Sequence, residues 1–115
     1  MLFVCYPKCS TCKKAEQYLL EKGLSFEKRD IKAENPTAEE LRTWYKASGL
    51  PLKRFFNTSG NVYKALGLKD KLPTMSEEEQ LELLATDGML VKRPLVIFDD
   101  GVLVGFKQSE YDAKL

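Results

Sequence analysis

The sequence predicts an α/β fold: a four-stranded mixed sheet made of a βαβ unit, a helical insert, a C-terminal β hairpin and a last helix. Three observations carry that prediction. An apolar run, an amphipathic stretch and a second extended stretch follow one another over residues 1–31. Two helix starts of the Ser/Thr-x-x-Glu kind fall mid-chain, at Thr37–Glu40 and Ser76–Glu79. Near the end, Leu95–Phe98 is apolar and partly β-branched, and Asp100-Gly101 separates it from a second such run at Val102–Val104.

Taken in order, Leu2–Tyr6 reads as a buried strand and Pro7–Ser10 as a turn. A helix is expected from Ser10 to Lys22, with Thr11, Ala15, Tyr18 and Leu19 as its inward stripe. Gly23 suits the position that ends it. Ser25–Ile31 reads as a second strand anchored by Phe26 and Ile31, parallel to the first because a helix crosses between them. The insert spans about 34–90. Asn35-Pro36-Thr37 opens a helix whose Leu41, Trp44 and Tyr45 recur at helical spacing, and Ser48–Pro51 stops it. Asn57–Gly60 is a turn, and Tyr63, Leu66 and Leu68 suggest a short helix. The helix from Glu77 to Thr86 should bury Leu81, Leu84 and Ala85, with Asp87-Gly88 ending it. Ser109–Leu115 reads as a short terminal helix.

Length and composition bound the function. A chain of 115 residues with 43% apolar and 30% charged residues is one ordinary globular domain, 1–115. Eighteen basic against seventeen acidic residues give +1, so no global field exists to grip nucleic acid or a membrane surface. Histidine is absent, which removes Ser-His-Asp and Cys-His catalysis and histidine-ligated metal. The apolar start at residues 1–6 is too short for a signal peptide or a span. Cys5, Cys9 and Cys12 all crowd the first dozen residues instead of spreading as a disulfide framework, so a reducing cytoplasmic setting is expected. A monomer is the expected state.

Cys9-Ser10-Thr11-Cys12 falls where a strand hands over to a helix. Cys9 near the helix N-cap would face unpaired backbone N–H groups, and Lys8, Lys13 and Lys14 add positive charge to that turn. Such settings lower a thiol pKa from about 8.5 to between ~3.5 and ~7.5. The expected chemistry is nucleophilic attack by Cys9, with Cys12 resolving the adduct. Zinc is disfavoured, since a tetrahedral site needs four ligands and only Cys5 remains to join the pair. Two inert buried thiols are the plain alternative. Cys5, inside the first strand, reads as packing.

The run Tyr6-Pro7-Lys8-Cys9-Ser10-Thr11-Cys12-Lys13-Lys14-Ala15 resembles the opening of the ArsC/Spx family, a branch of the thioredoxin-like superfamily. The likeness extends to Tyr63–Leu68, Lys92–Val96 and Gly105–Glu110 and so covers essentially the whole chain. It implies a thioredoxin-like sheet, a cis bond before Pro94, and a catalytic cysteine at Cys9. It also implies no bound cofactor, with glutathione/glutaredoxin or thioredoxin as electron donor. Arsenate reductases of this type surround their oxyanion with three arginines. Arg93 matches one, while Asn57 and Lys107 stand where the others fall, and Ser10 and Thr11 lie beside the thiol as anion-binding candidates. An amide and a point charge replace two bidentate forks, so the resemblance implies arsenate-reductase-like architecture with weak or absent arsenate turnover. The Spx branch carries the same Cys-x-x-Cys as a redox sensor and binds the C-terminal domain of the RNA polymerase α subunit. It supplies the alternative expectation, a regulator without a substrate.

Overall fold

The computed structural model describes residues 1–115. Its strands are β1 (Leu2–Cys5), β2 (Glu27–Asp30), β3 (Leu95–Phe98) and β4 (Gly101–Val104). They form one mixed sheet in the order β2-β1-β3-β4. Phe3 of β1 stands opposite Lys28 of the parallel β2 and Val96 of the antiparallel β3, and β3 pairs antiparallel with β4. The helices are α1 (Ser10–Glu21), α2 (Ala38–Ser48), α3 (Asn61–Ala65), α4 (Leu68–Lys71), α5 (Glu77–Leu84) and α6 (Gln108–Lys114). This is the thioredoxin-like α/β architecture that the element order predicts. No helix is long and apolar enough to cross a membrane.

The central strands are buried on both faces, which is why they read as continuous apolar runs instead of alternating ones. Phe3, Cys5, Val96 and Leu103 join Cys12, Ala15 and Leu19 of α1 and Tyr111 of α6 in one core cluster. Val4, Leu95, Val102 and Val104 join Leu41, Trp44, Phe55 and Leu84 of the insert in the other. The insert is closed by local hydrogen bonds. Thr37 accepts from the Glu40 N–H at 3.1 Å while the Glu40 carboxylate accepts from the Thr37 N–H at 3.0 Å, and Ser76 and Glu79 repeat the exchange at α5. Arg29 of β2 grips the Glu40 carboxylate with both terminal nitrogens, at 2.7 and 3.0 Å, and donates to the Glu34 carbonyl. That guanidinium holds the Glu40 carboxyl down at about 2.

Several expectations shift in detail. On α1 the buried face is Cys12, Ala15, Tyr18 and Leu19, and Thr11 is exposed. Thr11 and Cys12 are adjacent, so helical spacing alone could not choose between them; the N–H at the end of β1 finds the Cys12 sulfur and fixes the phase. The second strand is shorter than Ser25–Ile31 because the register with β1 ends at Cys5–Asp30. Leu66 is exposed and Leu68, which opens α4, is buried. The α5 helix ends at Leu84, leaving Ala85 as a half-buried cap. The hairpin loop is Asp99-Asp100, with Gly101 already opposite Phe98 in β4. No loop residue there has positive φ, so the turn makes no demand that only glycine could meet.

Candidate active site: a thiol pair at an uncapped helix start

β1 ends one residue before Tyr6, whose carbonyl accepts from the Cys9 N–H at 2.9 Å and closes the Pro7-Lys8 turn. Cys9 is thereby the N-cap of α1, with extended dihedrals of −87° and 125°. Its carbonyl takes the first helical bond, from the Lys13 N–H at 3.1 Å, but its thiol makes no capping hydrogen bond of ordinary geometry. The first-turn N–H groups therefore face the sulfur without another side chain claiming them. Cys12 lies one turn further on and points inward, and its sulfur accepts from the Tyr6 N–H at 3.3 Å. Cys5, Cys9 and Cys12 are all free thiols.

The two sulfurs of the pair are tuned in opposite directions. Partial burial by itself would raise the Cys9 thiol. The N–H groups of Cys12 and Thr11, the Cys12 thiol and the Arg93 charge more than offset this, and its pKa falls below the ordinary value. Burial pushes Cys12 up to about 12, with the Tyr6 N–H opposing and the Cys9 charge adding to the rise. Burial likewise pushes Cys5 up to about 11. Cys9 is half-buried and opens to a cleft, whereas Cys12 is only 2% exposed.

That cleft is open and holds about 520 Å³. It is lined by Cys9 and Thr11 from the start of α1, by Asn57 and the segment 59–62, and by Met89, Lys92 and Arg93. Two distant stretches are tied together to make it. Phe56 bridges Val91, the Lys92 N–H donates to the Phe55 carbonyl at 2.7 Å, and the Asn57 N–H donates to the Leu90 carbonyl at 2.8 Å. Arg93 lies over the Tyr6 ring, 5.4 Å from its centroid, and donates to the Met89 carbonyl at 3.4 Å, while its Nε is buried without a partner. The Arg93–Pro94 peptide is cis, and the Pro94 carbonyl accepts from the Gly105 N–H at 2.8 Å.

Of the residues that the sequence singles out, Cys9, Thr11, Asn57 and Arg93 are brought together around the cleft, with Cys12 behind Cys9. Ser10 is exposed on the first turn, Lys107 is exposed at the N-cap position of α6, and neither is among the residues lining the cleft. Lys92 is the lining cation that sequence reasoning passed over; its place in Lys92-Arg93-Pro94, next to the expected cis bond, is the signal that could have found it. No three His, Cys, Asp or Glu side chains are arranged to hold a metal ion.

A family model described as the ArsC family matches residues 5–114. Among curated proteins, the chain is 52% identical to the uncharacterized protein YusI of Bacillus subtilis, over 97% of this chain and 95% of that one. It is 30% identical to the global transcriptional regulator Spx of Enterococcus faecalis, over 90% of this chain and 77% of that one. Among solved structures, a Bacteroides fragilis protein described as ArsC family related superposes with a TM-score of 0.95 at 58% identity, covering 97% and 94% of the two chains. A Streptococcus mutans protein described as a possible arsenate reductase does so with 0.90 at 45% identity, covering 99% and 97%.

Proposed function

Because the chain belongs to the ArsC family, we propose that it is a small cytoplasmic thiol–disulfide redox protein. Cys9 is its nucleophile, Cys12 its resolving thiol and Arg93 the electrostatic support. The observation that carries this reading is the opposite tuning of two sulfurs one helical turn apart: Cys9 lowered and open to a cleft, Cys12 raised and sealed. A nucleophile needs a thiolate and access, and a resolving group needs to stay protonated until it is required.

The Cys9 thiolate attacks one sulfur of a substrate disulfide. A Cys9–substrate bond forms, the substrate S–S bond breaks, and the leaving sulfur departs with the electron pair and takes up a proton. Cys9 is now neutral, which removes one of the effects holding the Cys12 proton on. Cys12 gives up that proton and attacks Cys9, forming Cys9–Cys12 and releasing the second substrate thiol. The protein has lost two electrons and the substrate has gained two. Thioredoxin, or glutathione with glutaredoxin, returns the two electrons. The protein acts as a monomer.

Arsenate is a poor fit to this cleft. Arg93 offers one fork, Lys92 a point charge and Asn57 an uncharged amide, and Lys107 is not in the lining. The test is a turnover assay offering arsenate and a model disulfide, with each reductant system in turn. Disulfide turnover with little or no arsenate turnover is expected; no turnover of either would overturn the reading.

The likeness to Spx favours one other reading, a redox-switched regulator that binds the RNA polymerase α C-terminal domain. A pull-down of that domain with reduced and oxidised protein separates the two. Binding in one redox state only would favour the regulator, and binding in neither removes it.

A further inference from the structure

A second cleft, of about 450 Å³, adjoins the first and shares Lys92 with it. It is lined by Pro51, Lys53, Arg54, Phe56, Thr58 and Lys92. Neither cleft has a carboxylate in its lining, although the chain as a whole is nearly balanced in charge. The cations that do form ion pairs are Lys28, Arg29 and Arg42, all elsewhere. Lys53, Arg54, Lys92 and Arg93 therefore present four un-neutralised charges along two joined hollows, with the Cys9 sulfur in one of them.

The arrangement is also fixed in advance. The bonds joining Phe55–Asn57 to Leu90–Lys92 hold the Lys53-Arg54 turn against the Lys92-Arg93 pair, so no loop needs ordering to bring the four cations together. A small oxyanion needs only the Arg93 end. Two clefts that share Lys92, with four cations and no carboxylate between them, match an extended ligand with several carboxylates.

The geometry points to an acidic polypeptide segment as the partner of Cys9: its cysteine sits in the first cleft and its flanking Asp or Glu side chains lie along Lys92, Lys53 and Arg54 in the second. The inference rests on the thiol chemistry proposed above and adds the class of molecule on which it acts. Electrostatic complementarity of this kind raises association rates by about 10- to 1,000-fold and fades with salt.

The test uses the full chain and three short peptides, each with one cysteine activated as its 2-thiopyridyl disulfide and flanked by acidic, amide or basic residues. Cys9 attacks the peptide sulfur, a Cys9–peptide disulfide forms, and thiopyridone leaves with the electron pair and is read by its absorbance. The acidic peptide should react about tenfold faster than the amide peptide at low salt, and the gap should close when screening shortens to roughly 3 Å at 1 M salt. In the K53E/R54E double variant, with two charges of each sign along the clefts, the advantage of the acidic peptide over the basic one should collapse. Equal rates for acidic and amide peptides with the unaltered chain would overturn the inference and leave the thiol chemistry standing. So would the 2-thiopyridyl disulfide of glutathione reacting as fast as the acidic peptide, since a small anion would then suffice. Absence of reaction with every probe would overturn the parent reading together with this one.

Discussion

The molecule treats its helix starts in two ways. In the insert, α2 and α5 each begin with a reciprocal exchange of hydrogen bonds, Thr37 with Glu40 and Ser76 with Glu79, and carboxylates crowd both first turns. At α1 the N-cap is a cysteine whose side chain caps nothing, and the first turn holds no acidic residue. The insert converts its spare N–H groups into stability, each cap contributing about 1 kcal/mol. The βαβ end leaves them aimed at a sulfur, where they favour its anion. The same backbone feature thus serves cohesion in one region and reactivity in the other, and the N-cap side chain together with the first-turn carboxylates separates the two uses.

The largest effect that would break this contrast is at Cys9 itself. Cys9→Ser should drop disulfide turnover to background while installing a conventional cap, raising stability in urea at pH 5 by about 0.5–1 kcal/mol. A serine variant no more stable than the parent would mean the donors at α1 were already satisfied. Next in size, a Cβ on Gly88 would lie 1.9 Å from the Ile31 carbonyl oxygen, so Gly88→Ala should destabilise by roughly 2–3 kcal/mol. Thermal melts would read that loss, and the thiol should keep its lowered pKa in whatever fraction stays folded.

Arg93→Met sharpens the contrast from the reactive side. Alkylation of Cys9 followed against pH should rise through a midpoint below the free-thiol value of about 8.5, and the variant's midpoint should move up, slowing the reaction at pH 7 by about two- to tenfold. The sign carries over to folding. A thiol whose pKa falls on folding adds stability above the unfolded value, and that increment disappears as pH drops through the folded one. An unmoved midpoint would leave the helix start as the whole cause. The smallest effect belongs to Thr37→Ala, a loss of about 1 kcal/mol seen by denaturant titration, with the Cys9 profile superimposable on the parent's.

Local features were legible in the sequence, and features made by distant contact were not. The capping boxes, the end of α1 at Gly23 and the position of Cys9 at a strand-to-helix junction follow from residues within a few places of one another. The phase of α1 was harder, because Thr11 and Cys12 fit the same periodicity and a hydrogen bond from Tyr6 decides between them. Gly88 looked like a helix stop, yet what requires a glycine there is the carbonyl of Ile31, far away in the chain. The pairing of Phe56 with Val91, which brings Asn57 and Arg93 to one cleft, is announced by no local pattern, whereas Lys92 could have been found from its place beside Arg93-Pro94. Lys107 shows the converse, since a place matched by resemblance to an anion ligand lies outside the cleft once the chain folds.

The Tyr6 amide spends its one hydrogen bond on the Cys12 sulfur, and the Tyr6 ring carries the Arg93 guanidinium. If the proposed Cys9–Cys12 disulfide closes, the sulfur turns toward its neighbour and the amide would lose its acceptor. A single proton resonance, that of one tyrosine amide, would then report oxidation without touching either cysteine.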